Sequence, residues 1–70
     1  MKYVVKVDGM SCKHCAARVE EALSALPGVS GVKVKLSANK AEVVSEQEIT
    51  EETFTKVIDD AGYEFMGFIN

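Results

Sequence analysis

Tryptophan is absent from these 70 residues, proline and histidine occur once each, and cysteine occurs only twice. Two cysteines cannot build a disulfide framework, and a bridge between Cys12 and Cys15 would close a loop too small to restrict the unfolded chain much. No segment approaches the roughly 20 uninterrupted apolar residues of a membrane span, so membrane insertion is not expected. The opening Met1-Lys2-Tyr3-Val4-Val5 lacks the apolar stretch and small-residue cleavage site of a secretory signal, and a cytoplasmic protein is expected. Runs of Lys or Arg that would track phosphates are missing as well. The formal net charge is −3, with acidic residues gathered at Glu20-Glu21, Glu46 to Glu52 and Asp59-Asp60. Nucleic acid is therefore not an expected partner, and the acidic pairs read as solvated helix faces.

What is present suits one small domain spanning residues 1–70. A chain of this length buries only roughly 60% of the surface its unfolded form exposes, so any activity has to sit on the surface. Lys2 to Asp8 alternates, with Tyr3, Val5 and Val7 on one side, and predicts a strand with one buried face. Ala16, Val19, Leu23 and Leu26 recur at helical spacing, and Pro27-Gly28 is expected to end that helix. Val32, Val34 and Leu36 alternate with Lys33 and Lys35; after the polar turn Ser37-Ala38-Asn39-Lys40, Ala41, Val43 and Ser45 follow as the second arm of a hairpin. Thr50 has the chemistry of a helix N-cap, Glu51 and Glu52 favour the positive end of the helix dipole, and Phe54, Val57, Ile58 and Ala61 form an apolar stripe ended by Gly62. Tyr63 to Ile69 reads as a last strand, with Phe54, Phe65 and Phe68 as core or sheet-face residues. The order βαββαβ predicts an α+β, ferredoxin-like fold with a four-stranded antiparallel sheet and both helices on one face.

Reactive side chains converge only in Gly9-Met10-Ser11-Cys12-Lys13-His14-Cys15, between the first strand and the first helix. Glycine lets the chain leave the sheet sharply. Cys12 in the loop and Cys15 in the first helical turn can direct both sulfurs at one spot, where free N–H groups and the helix dipole favour thiolate. A pair of polarisable thiolates suits a soft d¹⁰ cation such as Cu(I), which two sulfurs satisfy, whereas a closed Zn(II) site asks for four ligands. His14 lies between the cysteines, where a helical start turns its ring away, so a structural zinc site cannot be completed within the chain. The C-x-x-C spacing also occurs in zinc ribbons and thiol oxidoreductases; a second C-x-x-C is missing, and the element order differs from that of the thioredoxin class. A small dithiol redox protein stays open as a rival to a soft-metal site. Beyond the thiol pair, the loop has no base, nucleophile or oxyanion arrangement, and an enzyme is not expected.

The segment Gly9 to Cys15 resembles the G-M-[TS]-C-x-x-C signature of the heavy-metal-associated domain. Asp60-Ala61-Gly62-Tyr63-Glu64 is similar to the loop near the metal in the bacterial copper-chaperone branch of that family, and the Pro27-Gly28-Val29 turn and valine-rich hairpin extend the likeness over essentially the whole chain. The resemblance implies a cytoplasmic carrier of Cu(I) that passes its ion, by thiolate exchange, to the metal-binding domain of a P-type copper-transporting ATPase. It makes Cys12 and Cys15 the metal ligands, Met10 a buried prop for the loop and Tyr63 a neighbour of the sulfurs. His14 is a solvated residue or a tuner of the thiolates. Lys13 and Arg18 are candidates to meet an acidic patch on the partner. Exposed thiolates can also share copper ions, which allows a copper-bridged homodimer. Two alternatives remain, an N-terminal metal-binding domain of a copper ATPase, and a mercury or zinc/cadmium binder of the same family.

Overall fold

The alternation of Lys2–Asp8 becomes strand β1, whose Val5 and Val7 are fully buried while Lys6 and Asp8 face solvent. A computed structural model of the chain describes residues 1–69. Helix α1 (Lys13–Ser24) follows, then β2 (Val29–Lys35), β3 (Lys40–Ser45), α2 (Glu51–Asp60) and β4 (Glu64–Phe68), which is the expected βαββαβ order. The strands form one sheet in the order β2-β3-β1-β4, and every neighbouring pair is antiparallel.

Both helices cover one face of this sheet. From α1 come Val19 and Leu23, and from α2 come Phe54 and Ile58; all four are fully buried against Val5, Val7, Ala41 and Val43. Burying side chains of this size contributes about 1.5–3 kcal/mol each. Phe54 occupies the centre of an aromatic group, with Tyr3 and Phe68 edge-on at centroid distances of 5.4 and 5.6 Å and Phe65 stacked at 6.1 Å. Phe68, expected in the core or on a sheet face, closes this group at its rim and stays 40% exposed.

Several boundaries differ from those the sequence pattern predicts: β2 begins already at Val29, β3 takes in Lys40, and β4 ends at Phe68. Helix α1 stops at Ser24 rather than running to Pro27, since proline disfavours helical geometry in the residue before it; the Leu26 N–H closes a tighter turn on the Leu23 carbonyl at 3.2 Å. Leu36 lies in a single 3-10 turn, Leu36–Ala38, and Asn39 reverses the chain at φ +52°, a left-handed value that asparagine tolerates. Tyr63 precedes β4 instead of opening it. Its N–H bonds the Ile58 carbonyl at 3.0 Å, so it belongs to the cap of α2, and this holds its ring close to the exit of β1.

Helix α2 starts as its residues dictate. The Thr50 hydroxyl accepts the Thr53 N–H at 3.2 Å, and Glu51 and Glu52 fill the first turn.

Candidate metal centre

Two backbone features set the position of the thiols. Gly9 leaves β1 at φ +102°, a conformation that side chains rarely allow. Met10, 7% exposed, is packed into the core cluster and pins the loop from below. Ser11 and Cys12 are then lifted into solvent. Cys12 is the N-cap of α1 in extended geometry, and its carbonyl receives the N–H groups of Cys15 and Ala16 at 3.1 and 3.2 Å. The helix therefore begins immediately under the first sulfur and carries the second in its first turn.

Cys12 Sγ and Cys15 Sγ stand 3.6 Å apart, with Ser11 Oγ 3.8 Å from Cys15 Sγ. Both thiols are free, and their separation is well beyond the roughly 2.05 Å of an S–S bond. Cys12 is exposed, whereas Cys15 is half-buried and leans on the core. The first turn of α1 has no acidic residue and no side chain caps it, so the positive end of the helix faces the sulfurs unopposed. The Cys15 thiol is pulled down from the ordinary 9.0 to about 6. The Tyr63 hydroxyl turned toward it is the largest cause, followed by the Ser11 backbone, the Cys12 thiol and the Ser11 hydroxyl. Each supplies a donor to the anionic sulfur. The reciprocal effect raises the Tyr63 phenol, first through that bond to Cys15 and then through burial, while Arg18 opposes it.

The residues singled out from the sequence divide accordingly. Cys12, Cys15, Met10 and Tyr63 are brought together at one end of the sheet. His14 is exposed on α1, and among the described residues no hydrogen bond joins its ring to either sulfur. No group of three or more His, Cys, Asp or Glu side chains among the described residues could share one ion. The arrangement thus offers two soft donors and no carboxylate or imidazole to complete a tetrahedron. Sequence reasoning passed over Ser11 as a partner of Cys15; its place four residues before Cys15 was the available signal. It also passed over Gly9 as the floor beneath Tyr63, which depends on a contact distant in sequence.

The chain is similar to proteins of known name. Over 62 residues the chain is 40% identical to the copper chaperone CopZ of Staphylococcus epidermidis, covering 87% of this chain and 91% of that protein. Over 65 residues it is 42% identical to CopZ of Enterococcus hirae, covering 91% and 94%. Among solved structures, a copper-binding domain from HMA7, a P-type ATPase, superposes with a TM-score of 0.88 at 37% identity, covering 99% of this chain and 93% of that one. The sequence pattern of the heavy-metal-associated domain matches residues 4–64, and with these likenesses the chain belongs to the heavy-metal-associated domain family.

Proposed function

We propose that residues 1–70 form one heavy-metal-associated domain that works as a cytoplasmic copper chaperone, holding Cu(I) between Cys12 and Cys15 and delivering it to a metal-binding domain of a P-type copper-transporting ATPase. The observation that carries this reading is the pair of convergent thiols on an exposed turn, one of them biased toward thiolate, with no third ligand among the described residues to close the site. Two soft donors fit a d¹⁰ monovalent ion and leave a structural zinc site incomplete.

The same openness supports transfer. An incoming thiol can add to the ion, lose its proton to the displaced cysteine thiolate and take over the ligand position, while copper remains Cu(I) throughout. An ion seated in line between two sulfurs holds them farther apart than two thiols in direct contact, so the sulfurs must separate from 3.6 Å on loading. Cys12, exposed and free of a side-chain cap bond, is the one able to move; Cys15 is held by the core. The chemistry is ligand exchange, and the chain carries its cargo without transforming it.

Anaerobic titration with Cu(I) against a competing Cu(I) chelator tests the reading. One ion per monomer is expected for the wild type and none for Cys12→Ser/Cys15→Ser; stoichiometric binding by the double variant would refute it. Tighter competition by Zn(II) or Hg(II) would favour the zinc/cadmium or mercury alternative. Following mass during loading reports whether copper bridges two copies. The likeness to the HMA7 domain favours one further reading, a metal-binding domain of an ATPase chain, and membrane-spanning sequence downstream in the gene would establish it.

A further inference from the structure

The sheet face opposite the helices gathers charge that is scattered along the sequence. Strand alternation sends Lys2, Lys6, Lys33, Lys35 and Lys40 to this face, five of the seven lysines, against the carboxylates Asp8, Glu42 and Glu64. The face is therefore net positive on a chain whose formal charge is −3. Cross-strand register then produces an unusual row. Lys40 on β3 is directly opposite Lys6 on β1 and Lys35 on β2, three like charges abreast. Such opposition destabilises a sheet. Glu42 relieves only part of it, pairing with Lys35 and Lys2 at 3.3 Å each; among the described residues Lys6, Lys33 and Lys40 have no ion-pair partner.

We propose that this open face adsorbs to an anionic lipid bilayer, with the row Lys6, Lys40 and Lys35 as its electrostatic contact. The surface is a sheet without a covering layer, its cations are all lysine, and it has exposed apolar tips in Val44 and Met66, 44% and 51% exposed. Lysine is a point charge without the planar fork that selects particular carboxylates, which suits the diffuse charge of headgroups better than a defined acidic patch. Single-stranded nucleic acid would call for stacking platforms, but the rings of Tyr3, Phe65 and Phe68 are packed with Phe54 on the helix side. The acid-rich remainder of the molecule would be repelled, so adsorption has one orientation. The row also lies at the thiol-loop end of the sheet: the Val7 N–H bonds the Asn39 carbonyl at 2.8 Å, placing the β2–β3 turn beside the exit of β1. The adsorbed protein keeps Cys12 at the rim of the contact and open to solvent. This inference does not depend on the proposed metal function.

Co-sedimentation with vesicles tests it, using about 30% phosphatidylglycerol in phosphatidylcholine beside phosphatidylcholine alone. The wild type is expected to bind only the anionic vesicles and to be released as salt rises from about 0.02 M to about 0.5 M. Lys6→Gln/Lys40→Gln should lose about fivefold in partitioning for each lysine removed, with an unchanged or higher Tm because the opposition is relieved. Cys12→Ser/Cys15→Ser should bind as the wild type does. Absence of binding to anionic vesicles at low salt, equal binding to neutral vesicles, or undiminished binding by the lysine variant would overturn the proposal. So would lysine-dependent binding of a single-stranded oligonucleotide, or lysine-dependent self-association in sedimentation velocity, if either occurs without vesicle binding.

Discussion

Tyr63 rests on Gly9: a methyl group added to Gly9 would stand 3.3 Å from Tyr63 Cδ1 and 3.9 Å from its Cα. The glycine that lets β1 turn into the thiol loop is thus also the floor for the ring that faces Cys15. A Gly9→Ala substitution meets two costs, the φ of +102° and the crowded ring. Destabilisation of about 1–3 kcal/mol is expected, read from urea unfolding. The Cys15 thiol should also become less acidic as Tyr63 is displaced, which separates this variant from one that merely loosens the fold. Unchanged thiol titration alongside lowered stability would show that the ring does not depend on the glycine.

Tyr63→Phe removes the donor and keeps the packing. Because the hydroxyl is the largest influence holding Cys15 near 6, the variant's thiol should titrate closer to the ordinary 9.0. In the wild type the alkylation rate of Cys15 by iodoacetamide should rise through pH 6 and level off above it; in the variant the rise moves to higher pH. Peptide mapping distinguishes Cys15 from Cys12. Coincident profiles for the two proteins would assign the acidity to the Ser11 and Cys12 contacts instead.

The same lowered value makes stability depend on pH. Cys15 in the fold ionises near 6, and in the unfolded chain near 9.0. Between those values the unfolded state binds the extra proton, so stability rises with pH across the window. The contribution is fully present above about 9 and is lost as pH falls through about 6. Subtracting the Tm-against-pH profile of Cys15→Ser from that of the wild type isolates it. A flat difference between pH 6 and 9 would contradict the lowered thiol value.

Much of this was legible from local pattern. Period-two alternation marked β1, the Thr50-Glu51-Glu52 start and the Phe54, Val57, Ile58, Ala61 stripe marked α2, and the Gly9 to Cys15 segment carried its chemistry in seven consecutive residues. What was not legible depends on pairing between distant residues. The search for a run of basic residues missed the lysine face because its members are spaced along three strands and meet only through register. The approach of Tyr63 to Gly9 required knowing that the cap of α2 ends beside the exit of β1. Leu26 and Leu36 fit the apolar periodicities of their neighbours but were claimed by turns, where proline and asparagine govern the backbone.

Ser45 offers a test of what holds the opposite end of the sheet. It is a polar residue buried in the core, 1% exposed. Its hydroxyl donates its one proton to the Gln47 carbonyl at 2.7 Å, stands 3.2 Å from the Gly28 carbonyl, and accepts the Gln47 N–H at 3.1 Å. It thereby ties the turn after α1 to the loop before α2. In Ser45→Ala the methyl group fits the space, but the Gln47 N–H loses its acceptor and the Gln47 carbonyl its donor, while the Gly28 carbonyl still accepts the Glu46 N–H at 2.8 Å. Leaving such groups unsatisfied costs about 1–3 kcal/mol, and a domain of this size shifts its Tm by roughly 4–8 °C per kcal/mol. Because Ser45 pairs beside Met1, at the end of β1 away from Gly9, Cys15 alkylation and copper stoichiometry should match the wild type. A drop in Tm with an unaltered thiol profile separates support of the fold from tuning of the site; an unchanged Tm would mean that water replaces the hydroxyl at Gln47.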